Sequence, residues 1–204
     1  MPKLTNTKQE WGWLAIVMHW LSAVAVIGLF LLGIWMVELT YYDDWYHQAP
    51  AIHKAVGMLL FGLVFLRLGW RLLNPPPATV PGTPRVIALA AEAAHWLIYL
   101  LLFAILASGY LMTTAKGDPV SIFGWFEVPA PGALVERQEE IMGLLHYWTA
   151  WALVGLVAIH AMGAIKHHVV DRDETLRRML GLGNASQPDY TTDRKTKDNK
   201  EIYS

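Results

Sequence analysis

The sequence predicts an all-α integral membrane protein, a four-helix transmembrane bundle with its N- and C-termini cytoplasmic. Three observations predict it. Four apolar runs each exceed the roughly 20 helical residues needed to cross a hydrocarbon core. Lys and Arg gather at one set of helix ends, which orients the bundle. And 54% of the 204 residues are hydrophobic against 16% charged, a balance outside the usual range of soluble domains.

The first run, 11–37, carries no charged side chain between Glu10 and Glu38. Its length, with no small-residue cleavage site after a short apolar core, argues against a cleaved signal peptide. The second, about 51–73, is interrupted by Arg67 and Arg71 and ends at Asn74-Pro75-Pro76-Pro77, which cannot continue a helix. The third starts at Pro84 or Arg85, and its uncharged stretch is 93–115; the fourth covers 141–165 without a charge. Nine basic residues (Lys3, Lys8, Arg67, Arg71, Arg85, Lys166, Arg172, Arg177, Arg178) fall on the side of the termini and three (Lys54, Lys116, Arg137) on the other. That asymmetry puts both termini in the cytoplasm.

Beyond the fourth run, 171–182 reads as a short amphipathic helix on the inner surface, with Met179 and Leu180 down and Arg177 and Arg178 up. The polar end, 183–204, reads as disordered. The expected division is therefore a cytoplasmic N-terminus (1–10), a transmembrane domain (11–179) and a cytoplasmic tail (180–204). The segment 113–140 is long for a loop and holds Phe123, Trp125 and Phe126 around Gly124, which marks it as functional or folded onto the membrane. A net charge of −1 carries no message in itself, so charge placement matters more than charge sum, and no nucleic-acid partner is expected of a membrane bundle. Cysteine is absent, which excludes disulfides, thiolate-held iron–sulfur clusters and covalently attached c-type haem, so any metal must rest on His, carboxylate or Met.

Four of the eight histidines lie inside or at the mouths of apolar helices, where an ionisable group demands a partner. His146 and His160 are fourteen residues apart, which returns them to within about 40° of one helix face and separates them by roughly 21 Å along the axis. Taking the middle of each run as the bilayer centre, His160 lies ~10 Å inside it and His146 ~10 Å outside. His19 lies ~7.5 Å on the inner side and His53 ~12 Å on the outer side. The depths pair His19 with His160 and His53 with His146. A lone imidazole in an apolar helix is ordinarily a hydrogen-bonded core residue, but four at two matched depths suit the axial ligation of two haems.

Arg67 lies fourteen residues after His53, on its face but at inner depth, where haem propionates would need a countercharge. Arg71, one turn on, either joins it or snorkels to headgroups. Gly57, Gly143 and Gly163 sit one turn or less from a histidine and either admit a macrocycle or serve helix packing. His95, in the third helix and ~3 Å deeper than His160, either bonds an inner propionate, lines a quinone site, or is an interfacial residue bonded to Glu92 or Tyr99. His167 and His168 read as a solvated cationic end favoured by the helix dipole, and His47 as an ordinary loop residue.

These residues resemble the bacterial cytochrome b561 family, which is similar to the b-type subunit of nickel–iron hydrogenases. The resemblance rests on Met18-His19-Trp20-Leu21-Ser22, on Ile52-His53-Lys54-Ala55-Val56-Gly57 with Arg67 and Arg71, and on Ala94-His95 with Tyr99. It continues through Ser108-Gly109-Tyr110, His146, His160, Lys166-His167-His168 and Asp173-Glu174-Thr175-Leu176. The stretches 119–126 and 41–46 look most like an enterobacterial, YceJ-like branch. The resemblance implies a di-haem b-type bundle with ligands at His19, His53, His146 and His160, exchange of electrons with ubiquinone, and, in one member type, oxidation of superoxide with reduction of ubiquinone.

Three functions stay open at this stage. One is an oxidoreductase passing electrons from superoxide or another outer donor to ubiquinone, with Lys54 and Lys116 attracting a small anion. A second is a non-catalytic carrier between quinone and a periplasmic redox partner. Eight acidic residues (Glu38, Asp43, Asp44, Asp118, Glu127, Glu136, Glu139, Glu140) against three basic give the outer segments a net charge of 3 − 8 = −5, which steers a cationic partner and repels superoxide. The third, a haem-free His-based metal or proton transporter, would want carboxylates beside the histidines, and the four apolar runs contain none.

Overall fold

A computed structural model of the chain describes residues 3–183. The order is α1 (Trp13–Met36), α2 (Gln48–Leu73), α3 (Arg85–Thr113), β1 (Val120–Ile122), β2 (Phe126–Val128), α4 (Gln138–Val169) and α5 (Thr175–Met179). The four long helices have 24, 26, 29 and 32 residues and are long and apolar enough to cross a membrane. The protein is a mostly helical four-helix bundle embedded in a lipid bilayer. The end of the bundle that carries β1 and β2 is called here the hairpin end, and the opposite one the terminal end.

Element limits differ from the apolar runs for local reasons. α2 starts at Gln48 rather than near 51 because Pro50 falls in its first turn, where a missing N–H costs nothing. α4 extends past both limits of its apolar run, with Glu139 and Glu140 in its first turn and Lys166, His167 and His168 in its last. Acid at the N-terminus and base at the C-terminus both complement the helix dipole. The amphipathic segment expected over 171–182 is helical only over Thr175–Met179, and Arg178 is turned to the backbone, donating to the Ala78 carbonyl at 3.0 Å. The tail expected to be disordered lies, beyond Gly183, outside the described residues.

α1 packs on α2, α2 on α3 and α3 on α4, whereas α1 and α4 meet only sparsely. The ring of helices is therefore loosest between its first and last members, and room remains inside it. Its densest packing is at mid-height, where Leu60 and Val64 of α2, Tyr99 and Leu102 of α3 and Leu153 of α4 are buried together. Large apolar side chains such as Val24 (68% exposed) and Leu66 (70%) point outward, as a lipid-facing surface requires. Association in that solvent rests on close packing and on satisfied polar groups rather than on water exclusion.

Buried polar side chains meet that requirement locally. Ser22 donates to the Met18 carbonyl one turn back at 2.6 Å, and Thr114 to Tyr110 at 2.8 Å. Gln138, 3% exposed, accepts from the Leu134 N–H at 2.7 Å and donates to the Leu111 carbonyl at 2.8 Å, tying the start of α4 to the end of α3. The long segment between α3 and α4 folds into an antiparallel hairpin, Val120 opposite Val128 and Ile122 opposite Phe126. Phe123 (φ 51°) and Gly124 (φ 75°) form its tight turn, closed by the Trp125 N–H on the Ile122 carbonyl at 2.9 Å. Two positive φ angles are what a type I′ turn demands. Val120 and Ile122 bury themselves on Ala55 of α2.

At the terminal end a clasp joins chain segments far apart in sequence. The arm before α1 is bound by Asn6, which donates to the Asn74 and Pro75 carbonyls and accepts from the Gly12 N–H at 2.8 Å. Only glycine fits at position 12, because a Cβ there would collide with the Leu4 and Thr5 backbone. Trp20 of α1 donates its indole N–H to the Met179 carbonyl of α5 at 2.9 Å.

Gln138→Ala is expected to leave the Leu111 carbonyl and the Leu134 N–H unpaired and to lower stability by about 1–3 kcal/mol. Equilibrium unfolding in mixed micelles measures it, and an unchanged midpoint would contradict the tie described here.

Candidate functional site

Two pairs of imidazoles face one another inside the bundle. Near the hairpin end, His53 in the second turn of α2 stands against His146 of α4, with ring centroids 6.2 Å apart and planes at 69°. Near the terminal end, His19 of α1 stands against His160 of α4, at 6.4 Å and 61°. α4 contributes one ring to each tier, and Leu153, seven residues from both, lies in the buried core between them. Two imidazoles on opposite sides of one metal ion have ring centres roughly 6 Å apart when each metal–nitrogen bond is about 2 Å. Each pair has that spacing.

At the hairpin-end tier the surroundings of both rings are also defined. His146 Nδ1 donates to the Ile105 carbonyl at 2.9 Å, and Ser108 donates to the same carbonyl at 3.0 Å. With its proton fixed on Nδ1, the ring leaves the Nε2 lone pair free, the arrangement typical of metal-ligating histidines. His53 Nδ1 is buried with no hydrogen-bond partner among the described residues. A cavity of about 650 Å³ borders both rings and takes its largely apolar walls from all four long helices. A flat apolar macrocycle with carboxylates at one edge fits such a space and such donors.

Glycines let the neighbouring helices touch these rings. A Cβ at Gly33 of α1 would lie 3.3 Å from His53 Cε1, and one at Gly109 of α3 would lie 2.9 Å from His146 Cε1. Sequence reading missed both, because each sits on a different helix from the histidine it backs. Ser108-Gly109 did belong to the segment carrying the family resemblance, which was the available signal. Of the glycines singled out from sequence, Gly57 and Gly143 line the cavity, while a Cβ on Gly163 would meet nothing within 4 Å.

The terminal-end tier is more crowded with charge. Arg67 donates from Nη2 to His19 Nδ1 at 2.9 Å, and its guanidinium lies 5.5 Å from the Tyr99 ring centre. Arg71 lies 5.3 Å from the Trp96 ring centre and 5.9 Å from that of Tyr99, so it stacks on aromatic faces instead of snorkelling outward. A guanidinium has only donors, so His19 Nδ1 accepts and the neutral ring keeps its proton on Nε2. Ligation of a metal through Nε2 would need the opposite tautomer, and the bond to Arg67 would then have to open. The His95 ring is 5.1 Å from that of His160, which places a third imidazole in the tier. Among the described residues no hydrogen bond joins His95 to Glu92 or Tyr99.

The remaining histidines stand apart. His47 precedes α2, edge-on to the Tyr46 and Tyr41 rings at 5.0 and 6.4 Å. His167 is only partly exposed rather than a solvated end, with Nδ1 2.7 Å from an Asp173 oxygen and 3.0 Å from one of Asp171. Lys166 binds both oxygens of Asp171, at 2.7 and 3.0 Å, and so supplies the cation of this cluster itself. Burial alone would raise the Asp173 carboxyl, but hydrogen bonds from Thr175 and His167 outweigh it and leave the group below its ordinary value.

Comparison with known proteins gives this geometry a context. Residues 10–182 match the family model described as prokaryotic cytochrome b561. The chain is 50% identical over 181 residues to cytochrome b561 homolog 2 of Escherichia coli (strain K12), covering 89% of this chain and 96% of the relative. It is 30% identical over 131 residues to cytochrome b561 homolog 1 of the same organism, covering 63% of this chain and 72% of that one. A protein of Yersinia pestis named probable superoxide oxidase CybB is 28% identical over 174 residues, covering 84% of this chain and 96% of its own. A match that begins in the arm before α1 and runs beyond α5, with half the residues shared along nearly the full length of one relative, shows that the chain belongs to the prokaryotic cytochrome b561 family, multi-pass proteins of the bacterial inner membrane that hold b-type haem and transfer electrons.

Proposed function

We propose that this membrane electron-transfer protein holds two b-type haems, one between His53 and His146 and one between His19 and His160, and exchanges electrons with ubiquinone. The observation that carries the reading is the pair of imidazole pairs, 6.2 and 6.4 Å between centroids, set fourteen residues apart along α4. An iron held there supplies a one-electron couple between its ferrous and ferric states. The protein's own work is positional. The Ile105 carbonyl fixes the His146 tautomer, Gly33 and Gly109 set how far α1 and α3 stand from the rings, and the core around Leu153 keeps water from between the tiers. Arg67, which donates to His19 Nδ1, would be freed if that ring held an iron through Nε2, and its guanidinium would then be available to carboxylates at that depth.

The quinone contact we assign to the terminal end, where His95 stands against the His160 ring and Arg71 lies over the Trp96 and Tyr99 rings. The basic excess there makes it the cytoplasmic end and leaves the hairpin end facing the periplasm. The Yersinia relative's name favours a second reading, with superoxide as donor at the hairpin end. Against it stands the net charge of −5 on the segments at that end, which repels a small anion and steers a cationic redox partner. Haem-free transport has no supporting observation in a family that holds b-type haem.

The reduced-minus-oxidised spectrum of purified protein is expected to give two b-type haems per chain, and His146→Ala to give one that remains reducible; a His146→Ala protein still holding both would refute the ligand assignment. Gly109→Ala is expected to drive haem content from two toward one per chain, while Gly62→Ala, whose added Cβ meets nothing within 4 Å, leaves it unchanged. Pure protein given a superoxide-generating system and ubiquinone is expected to reduce little quinone. Rapid, superoxide-dependent reduction would instead establish the enzyme reading.

A further inference from the structure

Among the described residues, three charged side chains line the 650 Å³ cavity beside His53 and His146, and they are Lys54, Lys116 and Glu139. Everything else at that boundary is apolar, aromatic, hydroxyl-bearing, glycine or the two imidazoles. Lys54 is exposed at the start of α2, and among the described residues it has no ion pair. Lys116, just beyond the end of α3, binds Glu139 in the first turn of α4 at 3.0 Å, with the two side chains 71% and 55% exposed. A pair so open to water is worth little. The third basic residue at this end, Arg137, is committed to Glu140 and does not line the cavity.

We propose that Lys54 and Lys116 are the countercharges of the two carboxylates of the haem held at the hairpin end, and that Glu139 is the resident partner which a carboxylate displaces from Lys116. The inference rests on the reading of His53 and His146 as iron ligands. Haem is an apolar disc with two anionic groups on one edge, and this cavity offers apolar walls with two ammonium groups near its mouth. Lysine suits the task because a flexible stem carries a point charge to an anion whose position it need not match in plane. Charge-assisted bonds to the carboxylates then replace a weak surface pair.

The exchange changes the charge of the mouth. Two lysines and one glutamate give it one net positive charge; two added carboxylates leave it with one net negative charge. Both lysines that were candidates for attracting superoxide are then neutralised, and the acidic surface around them goes unopposed.

The test uses the purified di-haem protein, with the spectral component lost in His146→Ala identifying the hairpin-end haem. Lys54→Gln and Lys116→Gln each remove a positive charge near that iron, which favours its ferric state, so its midpoint potential is expected to fall while that of the second haem stays put. Transfer of this haem to excess apomyoglobin is expected to quicken by about tenfold, the effect of losing one charge-assisted contact. Glu139→Gln, which removes the competitor for Lys116, is expected to raise the potential and slow the transfer, and Lys116→Arg to keep both near their original values. Unmoved potentials and release in the lysine variants, an equal shift of both haems, or a fall with Glu139→Gln overturns the assignment. Should a lysine variant fail to assemble, Glu139→Gln alone decides. Retention of both haems by His146→Ala strikes the ligand reading instead, so the two failures are distinguishable.

Discussion

A spacing of fourteen residues along unbroken α-helix, from His146 to His160, sets the dimension on which this bundle is organised. A rigid rise of about 1.5 Å per residue fixes two imidazoles some 21 Å apart, within the thickness of a hydrocarbon core. The other elements answer to that spacing. α2 enters with His53 level with the upper ring, α1 carries His19 level with the lower one, and α3 supplies no partner ring at the hairpin end but provides the Ile105 carbonyl and the Gly109 surface against which His146 rests. Since lipid offers no hydrogen bonds, each polar group placed at these depths must find its partner inside the protein.

The two tiers solve that problem differently. At the hairpin end a backbone carbonyl holds His146 in one tautomer, and a backbone carbonyl neither titrates nor swings away. At the terminal end the partner of His19 is a guanidinium on a flexible stem, stacked on Tyr99, with Arg71 and His95 close by. One tier has a ring held by the backbone; the other has a ring held by a charged side chain on a flexible stem.

The four spans were legible because lipid imposes a single requirement, a long apolar helix, and the sequence shows it without knowledge of neighbours. The histidine depths were legible for the same reason, since rise per residue converts position into height. Height, however, says nothing about which way a neighbouring helix leans. Gly33 and Gly109 were invisible because their significance lies across a helix–helix contact, and Arg67 was read by depth as a haem partner when the fold first gives it to His19. The hairpin over 120–128 escaped notice because its strands are three residues long and its turn seats Phe123, a poor residue for positive φ. His167 was read as solvated because its carboxylate partners come from a loop that no helical periodicity describes.

The clasp between α1 and α5 bears on how such a protein is assembled. α1 and α4 share the loosest seam of the bundle, yet one histidine pair spans it, and the bond from Trp20 to Met179 draws the two sides together from below. α5 leaves the ribosome after every span has been made. The α1–α4 seam therefore stays the least braced part of the bundle until the α5 segment, made after all four spans, is in place to accept the Trp20 bond.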